Sequence, residues 1–101
     1  MYSGNGRRRV ERVRLDLFLK STGVIARRPV AKRACDEGLI EINGKPAKAA
    51  AEVRSGDVIT VRIGMKVTTH EVLDIPVRPP QKHEREDYVR LLLTEKVDLD
   101  I

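Results

Sequence analysis

From Leu15 to Cys35 the apolar positions return every three or four residues, with Leu15, Phe18 and Leu19 in one group and Val30, Ala31, Ala34 and Cys35 in the next. That period predicts two short amphipathic helices. Gly23 suits the residue just past a helix, where the chain turns left-handed, so the first helix is expected from Leu15 or Asp16 to just before Gly23. Pro29 suits a first helical turn because its missing N–H costs nothing there. The second helix should run from about Pro29 to Glu37, with Gly38 ending it.

Beyond Gly38 the period falls to two. Leu39, Ile40 and Ile42 predict a short strand, and Asn43-Gly44 is a strong two-residue hairpin signal that leads into Lys45 and Lys48 near the hairpin tip. The segment 49–53 reads as an irregular link and Ser55-Gly56-Asp57 as a turn. Val58 to Ile63 is the clearest strand, with Ile59, Val61 and Ile63 on one face, and Val67 to Ile75 follows as another. Pro76, Pro79 and Pro80 then interrupt regular structure, so an exposed linker is expected. Val89, Leu92 and Leu93 suggest a short C-terminal helix within Asp87–Lys96, although Leu91 departs from a clean face. Residues 1–13, rich in Gly, Ser, Asn and Arg without sustained period, read as a flexible basic arm.

Composition narrows this outline to one small domain. A chain of 101 residues has room for a single modest core, and with Phe18, Tyr2 and Tyr88 its only aromatics that core must be aliphatic. The formal charge of +5 is unevenly placed. Between Arg7 and Arg33 ten Lys or Arg face two acids, Glu11 and Asp16, whereas the tail from Lys82 is slightly acidic. Arg14, Lys20, Arg27, Arg28, Lys32 and Arg33 fall at helix starts, in the connection and on polar faces, where a rigid support could hold them against a polyanion. Arg27 and Arg28 stand at the positive end of the second helix dipole; this does not favour cations locally, so binding is the better reason for them. Asp16, in the first turn, can accept backbone N–H groups and orient Arg14 or another nearby arginine.

Catalytic chemistry finds little support. His70 and His83 have no Cys or acidic cluster at metal-ligand spacing, and no Gly-rich phosphate loop or dinucleotide fingerprint occurs. Asp16, Asp57 and Asp74 are each accounted for by a cap, a turn or a strand end. Cys35 lies on the apolar face of the second helix and reads as a small buried hydrophobe in a reducing, cytoplasmic setting. No apolar run approaches a membrane span. With aromatic stacking platforms scarce, recognition of RNA backbone and shape is expected, not the reading of splayed bases.

Three motifs in combination, RLD-x-FL from Arg14, RR-x-x-A-K from Arg27 and G-x-I-x-I-N-G-K-x-x-K from Gly38, resemble the S-four RNA-binding domain over roughly Arg14 to Ile75. The resemblance implies an α+β fold, a helical pair on a small, bent, mostly antiparallel sheet, with the RNA face made by the helices and the loop before the second. It also implies that Arg14, Asp16 and Arg28 occupy RNA-contacting positions, with Lys20, Arg27 and Lys32 close enough to join them; Arg33, Lys45 and Lys48 complete the candidate set. Among stand-alone members the chain resembles the RqcP family of bacterial ribosome quality control. That implies a monomeric, non-enzymatic factor binding rRNA and tRNA on large ribosomal subunits obstructed by peptidyl-tRNA, and supporting alanine tailing with an Rqc2/RqcH-type tailing factor. No cofactor, metal or membrane is implied. Two alternatives are a heat-shock-type S-four protein that rescues large subunits carrying nascent chain-tRNA, and an interaction module partnering an RNA-modifying enzyme.

Overall fold

The structure, a computed structural model, describes residues 12–97. The chain enters as a strand, β1 (Arg12–Arg14), and passes directly into helices α1 (Leu15–Ser21) and α2 (Arg28–Asp36). Four strands follow, β2 (Ile40–Ile42), β3 (Lys45–Pro46), β4 (Glu52–Arg54) and β5 (Val58–Ile63). Then come β6 (Lys66–Val72), a 3-10 turn (Lys82–Asp87) and β7 (Val89–Lys96).

Five strands make one sheet in the order β3-β2-β5-β6-β7, every neighbouring pair antiparallel. β1 and β4 form a separate antiparallel ribbon. The apolar stripes predicted from the sequence fill the space between helices and sheet, except for Val30, which stands 47% exposed on α2. Leu15, Phe18 and Leu19 from α1 and Ala31, Ala34 and Cys35 from α2 join Ile40, Val53, Ile59, Val61 and Val72 in one buried cluster. Burying such side chains supplies the main favourable free energy, about 1.5–3 kcal/mol for each large aliphatic or aromatic group. The Asn43-Gly44 turn has positive φ at both residues, 54° and 84°, which is the backbone a two-residue hairpin needs to match strand twist. Asn43 also ties this hairpin to the Asp57 turn, its amide donating to Asp57 Oδ1 and its carbonyl oxygen accepting from Val58 N.

Several expectations are corrected. The segment 87–96 is mostly strand, not helix. β6 offered an unpaired edge, and β7 covers it from Val72↔Val89 to Lys66↔Lys96. A bulge, with Thr69 opposite Leu93 and His70 opposite Leu91, leaves Leu92 without a direct partner. That extra residue disturbs the strand alternation and lends the segment its helix-like spacing. The linker contains the 3-10 turn, closed by a reciprocal cap between Gln81 and Glu84. The basic arm lies outside the described residues as far as residue 11, while Arg12 and Val13 belong to β1. The supposed irregular link ends in β4, because Val13 and Val53 share the inner side of the ribbon and Val53 is fully buried. Ile63 stands 44% exposed at the end of β5, beside the Gly64 turn and outside the buried cluster.

Candidate nucleic-acid interface

Asp16 is the centre of the candidate site. It sits in the first turn of α1 with its side chain only 3% exposed, next to the core residue Leu15, and an unpaired carboxylate there would be costly. Leu17 N–H donates to its Oδ1 at 2.8 Å. Arg14 grips both oxygens, Nε to Oδ1 and Nη2 to Oδ2, each at 3.2 Å. Arg28, from the first turn of α2, donates Nε to Oδ2 at 3.3 Å. One buried carboxylate therefore holds two guanidiniums from elements separated by α1 and the connection.

Burial alone would raise the pKa of Asp16. The hydrogen bonds from Arg14 and Arg28, the Arg28 charge and the Leu17 amide outweigh burial and hold the carboxyl below its ordinary value. It stays charged at neutral pH.

The local fold explains why these groups meet. Among the first N–H groups of α1, Leu15 donates to Ala51 O at 2.8 Å and Asp16 to Ala49 O at 3.1 Å. The chain before β4 thus caps the helix from outside and leaves the carboxylate free for the arginines. Gly23, at φ 78°, turns the chain out of α1, and Ile25 N–H bonds back to Leu19 O. These contacts return the connection toward α1 and deliver Arg28 beside Asp16.

Arg14 and Arg28 keep about half of their side-chain surface exposed. Arg28's terminal nitrogens donate no hydrogen bond among the described residues. Chemically, this is a fixed cationic surface with free N–H donors, suited to phosphate oxygens.

The other predicted residues divide by position. Arg27 precedes α2, and Lys32 lies one turn beyond Arg28, on the same side of the helix. Lys20 is in the last turn of α1. All three are exposed. Arg33 is engaged by Glu37 at 3.6 Å. Lys48 directly precedes Ala49, the residue that caps Asp16, and so flanks the start of α1. Lys45 lies on β3 opposite Ile42, at the sheet edge, and no described contact joins it to the Asp16 cluster.

Reading the sequence placed Arg12 only within the basic arm and missed Arg54. β1 places Arg12 beside Arg14, and β4 places Arg54 directly opposite Arg12. The matching triplets Arg12-Val13-Arg14 and Glu52-Val53-Arg54, each with a central valine, were the available signal. A cleft of about 580 Å³ between the α1–α2 connection and β6–β7, lined by Thr22, Gly23, Val24, His70, Arg85 and Leu91 among others, contains none of the predicted residues.

Known proteins share this fold and much of this sequence. The S4 domain matches residues 13–59, and the chain is 41% identical over 85 residues to the RQC P-site tRNA stabilizing factor of Bacillus subtilis, spanning 84% of this chain and 98% of that protein.

The chain belongs to this family of S4-domain proteins.

A Helicobacter pylori protein of the same name is 38% identical over 64 residues, covering 63% of this chain and 76% of its own length. In three dimensions the S4 fold is shared with Vibrio cholerae Heat Shock Protein 15, solved as a trimer, at TM-score 0.74 and 28% identity over 81% of this chain and 83% of that one. The matched region contains the whole Asp16 cluster.

Proposed function

We propose that the protein is a non-catalytic RNA-binding factor of ribosome-associated quality control. It binds tRNA and rRNA on large ribosomal subunits obstructed by peptidyl-tRNA, and supports alanine tailing of the stalled chain together with an RqcH-type tailing factor. The observation that carries this reading is the Arg14–Asp16–Arg28 cluster, a preorganised pair of guanidiniums on a rigid helical support. The name of the relatives, RQC P-site tRNA stabilizing factor, supports the quality-control setting and a tRNA ligand. Arg27, Lys32, Lys20 and Lys48 extend the phosphate-facing surface around the pair, with Arg33 and Lys45 toward its margins. A protein with this role works in the cytoplasm, and among the described residues no helix is long and apolar enough to cross a membrane.

The test is recovery of the tagged protein from cells and identification of the accompanying particle. Large subunits bearing peptidyl-tRNA are expected; intact ribosomes, messenger RNA or no RNA would count against the proposal. The likeness to Heat Shock Protein 15 favours one second reading, rescue of nascent-chain-bearing large subunits without tailing. Tail synthesis measured with and without the protein separates the two, since only the first reading requires a decrease in its absence.

A further inference from the structure

The β1–β4 ribbon has an unusual outer face. Alternation along each strand buries Val53 and half-buries Val13, so Arg12, Arg14, Glu52 and Arg54 all point outward on the same side. Arg12 is directly opposite Arg54 and Arg14 directly opposite Glu52. Like charges directly opposite across a strand pair are destabilising, so sheet stability does not account for two arginines there. Glu52 lies between them, 3.3 Å from Arg12 and 3.9 Å from Arg54. This repeats the Asp16 arrangement on an exposed surface, with one carboxylate beside two guanidiniums. More than half of each of these three side chains is exposed. Ion pairs in such open positions contribute little, leaving guanidinium donors available to another anion.

Arg14 belongs to both groups. Its guanidinium is held by Asp16, while its backbone pairs with Glu52. The two groups are therefore one continuous cationic surface, running from α2 across the start of α1 and along the ribbon.

We infer that Arg12 and Arg54 form a second phosphate-contacting station, which takes the sugar-phosphate backbone of the same RNA where it continues beyond the Asp16 cluster. Glu52 spaces the two guanidiniums without neutralising both. The inference rests on the proposed RNA-binding role and adds its extent: the footprint includes the ribbon as well as the helices. Because Arg12 and Arg54 are exposed while the ribbon is anchored by its valines, removing either guanidinium leaves the fold intact.

The full-length chain, with Arg12→Ala, Arg54→Ala and the double substitution, is titrated against purified large subunits carrying peptidyl-tRNA over a range of salt concentrations. Each lost contact should flatten the log affinity–log salt slope by about 0.7–0.9. For the double variant, the loss of affinity between about 50 and 200 mM salt should be roughly tenfold smaller than for the wild type. Arg62→Ala with Arg90→Ala is the charge control, since these arginines lie on the main sheet, paired with Glu41 and Glu71 and away from the ribbon. A ribbon double variant indistinguishable from this control would overturn the inference. Arg14→Ala with Arg28→Ala keeps the two levels apart. If that variant loses affinity and slope while the ribbon variant does not, the ribbon station alone is wrong. If neither moves, the RNA-binding role itself is wrong.

Discussion

Replacing Asp16 by Asn separates charge from positioning. The substitution keeps the shape of the side chain and an oxygen able to accept Leu17 N–H, but removes the negative charge that Arg14 and Arg28 share. Charge-assisted hydrogen bonds contribute about 1.5–3 kcal/mol each when well enclosed. Both guanidiniums here are about half exposed and regain water, so the net loss is about 1–2 kcal/mol in all. In a domain of this size each kcal/mol lowers the melting temperature by roughly 4–8 °C. The folded pKa of Asp16 is depressed, so its contribution is fully present above the unfolded carboxylate value and fades as pH falls through the folded one. Asp16→Asn should therefore differ most from wild type near neutral pH, and the difference should shrink in acid.

RNA affinity is the sharper readout. The substitution raises the formal net charge of +5 by one, and if charge alone governed binding the variant would bind more tightly. Fixing an arginine side chain costs up to about 2 kcal/mol, and Asp16 has already met part of that cost for two of them. Its loss should weaken binding about tenfold, equivalent to about 1.4 kcal/mol, while the salt slope stays near wild type because both cations remain. Fluorescence anisotropy of the labelled protein, titrated with tRNA-bearing large subunits, measures both quantities. Equal or tighter binding by Asp16→Asn would refute the positioning argument.

Other consequences concern the fold. Burial, reinforced by the charges of Asp16 and Asp36, pushes the Cys35 thiol up to about 11, so alkylation in the native protein should be slow and should become fast on unfolding. Val53→Ala removes a fully buried side chain that anchors β4 under β1, and should cost about 1–3 kcal/mol in chemical denaturation with the denaturant slope unchanged. Gly23→Ala places a side chain at φ 78° and against the Arg85 guanidinium; a loss of about 1–2 kcal/mol is expected in the same assay. Nuclear Overhauser contacts should join Thr68 to Thr94 across β6 and β7, and a ladder of helical contacts over 89–96 would contradict the strand.

The two helices were legible because their buried faces repeat with the helical period and because Gly23, Pro29 and Gly38 punctuate them. The Asn43-Gly44 hairpin was legible from local backbone preference alone. β1 and β4 were not, since three-residue strands carry too little periodic signal and their pairing joins residues about forty positions apart. β7 was misread for a related reason. Val89, Leu92 and Leu93 fit a helical stripe as well as a bulged strand, and the open edge of β6, a tertiary feature, decides between them. At the candidate site the residues Arg14, Asp16 and Arg28 could be nominated from motifs and resemblance. Spacing could not show that a single carboxylate holds both arginines, because that contact depends on how the connection after Gly23 returns to α1.

The most direct test of the central claim is the salt dependence of binding to obstructed large subunits for wild type and Arg28→Ala. Removing this guanidinium should weaken binding and flatten the slope by about one unit, without a change in the particle recognised. Unchanged affinity together with an unchanged slope would contradict the assignment of the Asp16-held arginines to RNA.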